Sequence, residues 1–447
     1  MHESATFTRS GHDYMDLSSR FKLKQTDFRR QFAHTYVYRL WSLAPSVEKN
    51  ARATWGDNVI VRKLDQLQPG EECVIIGTIF KNMKLKPNVL LEIGKSYRIL
   101  APPPKPRYTD DSDEVILEDE SQRILLIGNI NVKKTITGCV AAAFGSINEY
   151  DMGKFLVRAI AYRAFPDQVP RPILSTDKYL VIVSGLEVGG EAVSMIHLQL
   201  LVDLLTGQIG LEDTQEWIAQ IVRVVLAGNS LCDSPVIGVD RKTPSKHPSK
   251  KSKVVLKDGI SALDDILAQL VAGVDVDIMP GASDPTNFIL PQQPLHPCLF
   301  PKATRYETFH CVTNPYNFSL DGIEVLGSSG QPVQDFCRFS EFEDQLDALE
   351  HTLVVGHMAP TAPDTVGSYP YTDSDPFIID SFPHIYFNGN APCLSKKVFR
   401  GGRNETTLLV NIPCFSRSFT CAAINLRTLD VRPIKVAVSD VSGDQQS

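Results

Sequence analysis

An apolar run that ends at a glycine does most to limit the folds open to this chain: Leu180–Ser184, followed at once by Gly185. The run is rich in β-branched residues, so it predicts a buried strand, and the glycine suits a tight turn. A helical pattern follows at Ser194–Leu205, and an apolar run at Val224–Gly228 predicts another strand. Strands and helices in alternation predict an α/β layered domain, in which ligands bind in the loops beyond the strand ends.

Three further helices in this half are predicted from local signals. The segment Trp217–Arg223 has helical character, and Ser261–Val271 has an amphipathic pattern that Ser261 can cap. Ser340 and Glu343 fit a capping box that opens another helix. These helices would lie between the predicted strands and cover the sheet that the strands form.

The first part of the chain follows a different pattern. Residues 1–18 are polar and are expected to be disordered, whereas residues 22–51 carry spaced apolar anchors typical of a helix, which Pro45 would restrict. Between residues 58 and 163 the sequence changes to short β-branched segments broken by glycines. Segments of this kind predict a small β-barrel.

The composition argues against several classes of protein. A formal net charge of -7 over 447 residues disfavours a dedicated DNA-binding surface. The 9 cysteines include no Cys-x-x-Cys pair, which disfavours a zinc ribbon or a disulfide framework and fits a reducing compartment. No apolar run is long enough to cross a membrane, and the polar start has no secretory pattern. We therefore expect a soluble intracellular chain.

Other residues that could carry chemistry have simpler interpretations. His296 and His357 lie in apolar or proline-rich surroundings and are expected to be structural. Cys393 and Cys414 match no histidine arrangement, so inert thiols are expected. The predicted barrel strands show few outward aromatics and no basic cluster, which favours protein contact over nucleic-acid binding. Residues 241–253, rich in Lys and Pro, are interpreted as a solvated basic loop, with phosphate contact as the alternative.

Six stretches carry a family resemblance: Val181–Gly189, Leu226–Ser230, Met279–Pro301, Thr313–Gln331, His357–Gly367 and Pro383–Pro392. The second half resembles the calcineurin-like phosphoesterases, and the chain from Phe21 to about Val438 resembles the small (B) subunits of DNA polymerase delta. The resemblance implies an α+β / α/β fold with an OB-fold β-barrel and a calcineurin-like phosphoesterase β-sandwich flanked by helices. The predicted organisation is a disordered N-terminus (1–18), a helical segment (19–52), the OB-fold domain (53–165), a linker (166–177), an inactive phosphoesterase-like domain (178–438) and a disordered tail (439–447).

The resemblance also implies that a catalytic site has been lost. Active phosphoesterases of this type hold two metal ions with carboxylates and imidazoles on several loops. The positions that correspond to those ligands are Gly185, Glu187, Asn229, Ala282, Ser283, Ser329, Asn390 and Pro392. A neutral amide is a poor bridge between two dications, and proline has no ligand atom in its side chain. With Glu187 and Asp284 as the nearby carboxylates, we expect no catalytic residue, no metal and no cofactor.

By the same resemblance, the chain is a non-catalytic scaffold in DNA replication and repair synthesis. It would hold the cysteine-rich C-terminal domain of the catalytic subunit, dock the third subunit, meet DNA only through the holoenzyme and reside in the nucleus. Three alternatives remain open: a residual metal-dependent phosphoesterase or nuclease, the small subunit of another B-family polymerase, and an autonomous single-strand binding protein. The surface residues that dock each partner are not evident from the sequence.

Overall fold

The computed structural model describes residues 7–24, 27–87, 105–148, 151–190, 193–232, 250–402 and 405–437, with side chains throughout these ranges except at 250–256. Its helices are α1 (Ala33–Trp55), α2 (Met195–Leu205), α3 (Glu212–Ala219), α4 (Lys250–Val271), α5 (Gln331–Arg338), α6 (Gln345–Val355) and α7 (Phe415–Ser418). The strands of the first part are β1 (Tyr14–Asp16), β2 (Val61–Arg62), β3 (Glu72–Asn82), β4 (Glu114–Glu118), β5 (Arg123–Gly128), β6 (Val140–Asn148) and β7 (Asp151–Ala161). Those of the second part are β8 (Tyr179–Val183), β9 (Ile221–Ala227), β10 (Asp275–Met279), β11 (Phe309–Cys311), β12 (Tyr316–Leu320), β13 (Ile323–Ser328), β14 (Ile385–Ala391), β15 (Ser395–Arg400), β16 (Thr406–Pro413), β17 (Thr420–Asn425) and β18 (Val431–Lys435).

The first sheet closes on itself as a barrel. Its strands lie in the order β2-β3-β4-β5-β7-β6, and β6 pairs with β3 to complete the circle. Residues at alternate positions along β5, Ile124 and Leu126, are buried in the barrel core. Outside the barrel, Leu43 and Val47 of α1 pack against residues of β3 and β6. The small barrel predicted between residues 58 and 163 is confirmed.

Two further six-stranded sheets pack against each other. Their strand orders are β1-β12-β13-β14-β16-β15 and β11-β10-β9-β8-β17-β18. One apolar cluster is shared between them, with Ile182 and Val225 from the second sheet and Val325 and Phe387 from the first. Helices α2, α3 and α4 contribute to an apolar cluster with the second sheet, and α5 and α6 to one with the first sheet. The layered α/β arrangement predicted for this half is therefore confirmed.

The prediction of disorder over residues 1–18 is wrong for residues 7–18. Strand β1 pairs antiparallel with β12, and Tyr14 faces Leu320. The Arg9 guanidinium donates hydrogen bonds to the carbonyls of Leu205, Ile218 and Ile221, which anchors the segment to α2, α3 and β9. Backbone pairing over about 300 residues of separation leaves no mark in the local composition, which explains the error.

Two helix predictions in the second half need correction. The segment from Ile221 to Arg223 belongs to β9, because consecutive buried β-branched residues there pair with β8 and β10, while α3 has already ended at Ala219. Ser261 does not cap a helix, since α4 begins at Lys250 and runs through it. Residues 250–253 of the predicted basic loop thus begin α4, and residues 241–249 lie outside the described ranges, as do the predicted tail and residues 1–6.

The predicted capping box is also wrong. The Ser340 hydroxyl donates to the Phe336 carbonyl at 2.7 Å, so it closes the helix before instead of opening the next one. The cap of α6 is Asp344, whose carboxylate accepts from the Leu346 amide at 2.8 Å. Pro45 lies within α1 without ending it. Among the described residues, no helix has both the length and the apolar character needed to cross a membrane.

Candidate functional site

The predicted site positions fall on loops that meet where the two sheets end. Parallel strands β8, β9 and β10 of one sheet and β13 and β14 of the other direct their carboxyl ends to this place. The Gly185 amide donates to the Gly228 carbonyl at 2.9 Å, and the Glu187 amide donates to the Asn229 carbonyl at 3.0 Å. We call residues 184–189, 228–231, 280–284, 328–330 and 389–390 the loop cluster.

The backbone of the loop cluster is held in an uncommon conformation. Glu187, Asn229 and Asn390 have φ angles of 50°, 53° and 52°, in the left-handed region that disfavours side chains. Gly185 and Gly228, at φ 64° and 77°, adopt the same region without that cost. Asparagine adopts this region more readily than most residues, so Glu187 is the position where the surroundings most clearly fix the backbone.

Asn390 ties loops of both sheets together. Its side-chain nitrogen donates to the Ser329 carbonyl at 2.8 Å and to the Ala227 carbonyl at 3.3 Å. Its backbone amide donates to the Ser184 hydroxyl at 2.9 Å. A Cβ added at Gly185 would lie 2.6 Å from the Asn390 side-chain oxygen and 2.5 Å from the Cys414 sulfur. The space that an aspartate ligand at position 185 would need is therefore occupied.

The Asn229 side chain lies between the loop after β9 and the loop after β10. Its side-chain oxygen accepts a hydrogen bond from the Ser283 amide at 3.3 Å, and the Ser283 hydroxyl donates to the Leu231 carbonyl at 2.6 Å. A Cβ on Gly281 would lie 2.3 Å from both the backbone nitrogen and the side-chain oxygen of Asn229. The loops after β9 and β10 are therefore in direct contact at Gly281 and Asn229.

Asp284 is the buried carboxylate of the loop cluster, and it braces the backbone. It accepts hydrogen bonds from the amides of Gly281, Leu231 and Ser230 at 2.7, 2.9 and 3.3 Å. Burial raises its pKa to about 6, against the opposing effect of these backbone hydrogen bonds. Both oxygens are committed to the protein's own amides, so the group is poorly placed to ligate a metal.

The remaining predicted positions are engaged elsewhere or exposed. Glu187 accepts from the Ser416 hydroxyl at 2.6 Å, and the Ser329 hydroxyl accepts from the Asn314 side chain at 2.7 Å. The side chains of Ala282 and Pro392 are exposed, and Pro392 lies in the turn between β14 and β15. The structure therefore gathers six of the eight positions through their contacts: Gly185, Glu187, Asn229, Ser283, Ser329 and Asn390.

Sequence reasoning missed a buried amide network beside the loop cluster. The Asn314 side-chain nitrogen donates to Gln292 at 2.8 Å and to Gln331 at 3.0 Å, and Gln292 donates in turn to the Gly281 carbonyl at 3.0 Å. These uncharged side-chain amides form hydrogen bonds with one another and with the backbone at the ends of the loops. The sequence shows these amide residues but not that they are buried together. Their hydrogen-bond partners lie on other segments of the chain, so the network could not be predicted.

The donor set does not suit a two-metal centre. Across the residues that the structure describes, no group of three or more His, Cys, Asp and Glu side chains is placed to hold a metal ion. The cluster offers amides and hydroxyls, whereas bridging two dications calls for carboxylates and imidazoles. The site can hold loops in place through these hydrogen bonds, although the buried Ser230 hydroxyl and Asn390 side-chain oxygen have no hydrogen-bond partner among the described residues.

The other candidate residues have structural partners. The His357 ring donates to Asp375 at 2.9 Å and accepts from the Ala359 amide, and burial lowers its pKa to about 4, so the ring is neutral. His296 accepts from the Cys298 amide at 3.1 Å. Burial raises the pKa of the Cys414 thiol, which opposes a nucleophilic role.

Comparisons with known proteins match almost the whole chain. The family of B subunits of DNA polymerases alpha and epsilon matches residues 180–396, and the DNA polymerase delta subunit OB-fold domain matches residues 31–160. The DNA polymerase delta small subunit of Arabidopsis thaliana is 42% identical over 433 residues, which cover 94% of this chain and 95% of that protein. The small subunit of Oryza sativa subsp. japonica is 39% identical (96% and 98% covered), and DNA polymerase delta subunit 2 of Drosophila melanogaster is 37% identical (95% and 97% covered). The chain belongs to the family of DNA polymerase delta small subunits.

Proposed function

We propose that this chain acts in DNA replication as a non-catalytic accessory subunit of DNA polymerase delta, and that it bridges two other subunits. One would be the catalytic subunit, held through its cysteine-rich C-terminal domain, and the other the third subunit of the assembly. Matches to relatives named as small subunits over nearly their full length support this role. A nuclear location and a part in repair synthesis follow from the same proposal.

The observation that carries the non-catalytic part of the proposal is the filled loop cluster. Its shape, with left-handed backbone at Glu187, Asn229 and Asn390, fits descent from a calcineurin-like phosphoesterase whose loops once held metal ions. The two packed sheets with helices outside them also fit such an origin. Residues 178–438 would be this inactive domain, residues 53–165 the OB-fold domain, and residues 166–177 the linker.

A bridging role needs a rigid body, and buried polar contacts join the barrel region to the sheets. The Arg39 guanidinium of α1 donates to Asp375 at 2.7 Å, to the Ala362 carbonyl at 2.8 Å and to the Gly138 carbonyl at 3.2 Å. Arg39 and Asp375 are fully buried. A buried ion pair contributes more to a defined geometry than to net stability, and removal of one partner is costly.

Co-purification tests the assembly. The full chain is tagged in cells, recovered at physiological salt and analysed by mass spectrometry. The proposal expects the catalytic subunit of polymerase delta among the abundant partners. Recovery of the catalytic subunit of a different B-family polymerase, without that of delta, would contradict the assignment.

A hydrolysis assay tests the absence of catalysis. Purified chain is incubated with Mn²⁺ and a chromogenic phosphodiester, beside the variants Glu187→Ala and Asp284→Ala. We expect the same background rate in all three samples. Metal-dependent turnover that either substitution abolishes would show a working site and overturn the non-catalytic proposal.

A further inference from the structure

The two packed sheets leave one side of their sandwich uncovered. Strand β15 ends the first sheet and pairs only with β16 among the described strands, and β18 ends the second sheet and pairs only with β17. Residues of both sheets line one cavity of about 760 Å³ at this side: Val398 and Leu408 from the first sheet, and Leu429 and Asp430 from the turn that leads into β18. The two edge strands therefore lie on the same side of the sandwich, with open space between them.

The strand register shows which side chains face this space. Four edge residues are each directly opposite a residue of β16 or β17 that belongs to the apolar cluster between the sheets: Lys396 and Val398 on β15, and Val431 and Pro433 on β18. Opposite residues of an antiparallel pair lie on the same face of a sheet. Arg400 and Lys435 follow at the next alternate positions of the same strands. We call these six residues the edge groove.

The centre of the edge groove is apolar and uncovered. Val398 is 50% exposed, and Pro433 is exposed as well. Leu429 and Val431 are half-buried against the cluster between the sheets, so the apolar core of the sandwich reaches the surface here. Packed sheets lie about 10 Å apart, which leaves room beside two uncovered edges for one extended chain.

The backbone indicates which edge strand can accept a further strand. Proline occurs in sheets where its nitrogen faces outward, so Pro433 interrupts the outer row of hydrogen-bond donors on β18. Strand β15 contains no proline and keeps a regular register with β16, and no described strand uses its outer amides and carbonyls. An added strand would therefore pair with β15, and its inward side chains would reach towards β18.

The charges of the edge groove indicate the chemistry of that strand. Lys396, Arg400 and Lys435 are exposed and flank the apolar centre, and none of them forms an ion pair with another residue that the structure describes. Lys397, on the opposite face of β15, differs in this respect, because it pairs with two carboxylates of α6. Exposed lysines on an edge strand disfavour pairing between two copies of this chain, and they attract carboxylates.

The lower end of the cavity is formed before any partner arrives. The side-chain amide of Gln168 exchanges two hydrogen bonds with the backbone at the start of β16, which fixes the segment that closes this end. Asp167 and Asp430 line the cavity here, so Lys396 and Lys435, at the other end of their strands, offer the stronger attraction for a carboxylate. A surface that is already ordered costs a partner less free energy to bind.

We propose that the edge groove binds an extended segment of a partner protein, with the pattern acidic-x-apolar-x-acidic. The segment pairs with the outer edge of β15 as a further strand of the first sheet. Its apolar residue packs on Val398 and Pro433, and its acidic residues lie beside Lys396, Arg400 and Lys435. Single-stranded nucleic acid would need stacking aromatic side chains, and none of the six residues is aromatic. The inference does not depend on the proposed function.

Binding of a defined peptide to the full chain tests the proposal. The probe is a fluorescent peptide with the core Glu-Thr-Val-Thr-Glu, and its control has lysine in place of both glutamates. We expect the acidic peptide to bind the natural chain about tenfold more tightly than the basic peptide, as measured by fluorescence anisotropy at physiological salt. Hydrogen–deuterium exchange of β15 amides should slow when the acidic peptide is added.

Charge reversal adds a test that loss of folding cannot imitate. Lys396→Glu with Lys435→Glu should reverse the preference, so that the basic peptide binds this variant about tenfold more tightly than the acidic peptide does. The matched control, Lys49→Glu with Lys257→Glu, makes the same change at exposed lysines of α1 and α4, outside the edge groove, and should keep the natural preference. Circular dichroism checks that both variants fold, and the natural chain decides the question if they do not.

Three results would overturn the inference. The first is equal binding of the two peptides to the natural chain, or a preference that charge reversal leaves unchanged. The second is self-association of the natural chain that slows exchange in β15 without peptide. The third is a single-stranded oligonucleotide that displaces the acidic peptide. The co-purification experiment tests the polymerase assembly separately, so the proposed function would stand in each case.

Discussion

The loop cluster and the outer side of the barrel strands β5 and β7 are opposite kinds of surface on one molecule. We call the second surface the open face; its residues are Leu125, Ile127 and Leu156. In the loop cluster, the loops after β9 and β10 are so close that a Cβ on Gly281 would lie 2.3 Å from the backbone nitrogen of Asn229, and the Asn229 side-chain oxygen accepts a hydrogen bond from the Ser283 amide. On the open face, aliphatic side chains such as Leu125 and Leu156 point away from every described core. The first surface is closed by the chain's own side chains, and the second leaves Leu156 46% exposed. The two surfaces should therefore respond differently to substitution.

The largest loss of stability is expected when an aspartate is placed at a predicted ligand position of the loop cluster. Gly185→Asp puts a side chain at a φ of 64°, and its Cβ would lie 2.5 Å from the Cys414 sulfur. Left-handed strain and overpacking together should lower the free energy of unfolding by about 4 kcal/mol. Urea denaturation followed by circular dichroism measures the change. No metal-dependent hydrolysis is expected to accompany it.

The control for this change is Gly207→Asp. Gly207 has a φ of 76°, but a Cβ there would meet nothing within 4 Å. This variant should lose only the backbone contribution, about 1 kcal/mol. Equal losses at Gly185 and Gly207 would mean that the loop cluster is not closely packed, which would weaken the contrast with the open face.

The barrel strand β5 allows the contrast to be tested within two residues. Leu126 is 3% exposed and belongs to the barrel core, so Leu126→Ala should lower the free energy of unfolding by about 3 kcal/mol. Leu125 points outward, so Leu125→Ala should cost the isolated chain less than about 1 kcal/mol. Thermal unfolding of both variants measures the difference. A cost at Leu125 as large as that at Leu126 would show that the open face is packed against part of this chain.

The sequence predicts well where a signal is local and poorly where partners are distant. Consecutive β-branched residues predict buried strands such as Leu180–Val183. The glycine at position 185 predicts the turn that follows. The family resemblance of the segments around them places Asn229 and Asn390 in the site. Their hydrogen-bond partners are not predictable, because those partners lie on other loops. The open face is not predictable from the sequence either. Both sides of β5 carry apolar residues, and the pattern does not show which side is buried.

Asn390 tests whether hydrogen bonds between loops hold the cluster together. Asn390→Ala removes donors to the carbonyls of Ser329 and Ala227 and places alanine at a φ of 52°. The expected loss is about 2 kcal/mol in the free energy of unfolding. Asn390→Gly removes the same hydrogen bonds but accepts the backbone conformation, so it should be the milder change by about 1 kcal/mol. If both variants match the natural chain in urea denaturation, the amide of Asn390 contributes nothing to the closure.

The smallest effect is the pH dependence that Asp284 gives to the loop cluster. Its pKa is about 6 in the folded chain, above the value of about 3.9 for an unfolded aspartate, so the folded state holds the proton more tightly. Stability from this group is therefore present at low pH and is lost as the pH rises through 6. Between about pH 5 and about pH 7 the natural chain should lose about 1 kcal/mol relative to Asp284→Asn, which cannot titrate. Paired urea titrations at the two pH values isolate the difference from other ionisable groups. Ala282→Asn, at an exposed neighbour in the same loop, should leave the pH dependence unchanged. A stability difference between natural chain and Asp284→Asn that does not vary with pH would mean that Asp284 stays ionised, held by its three backbone amides.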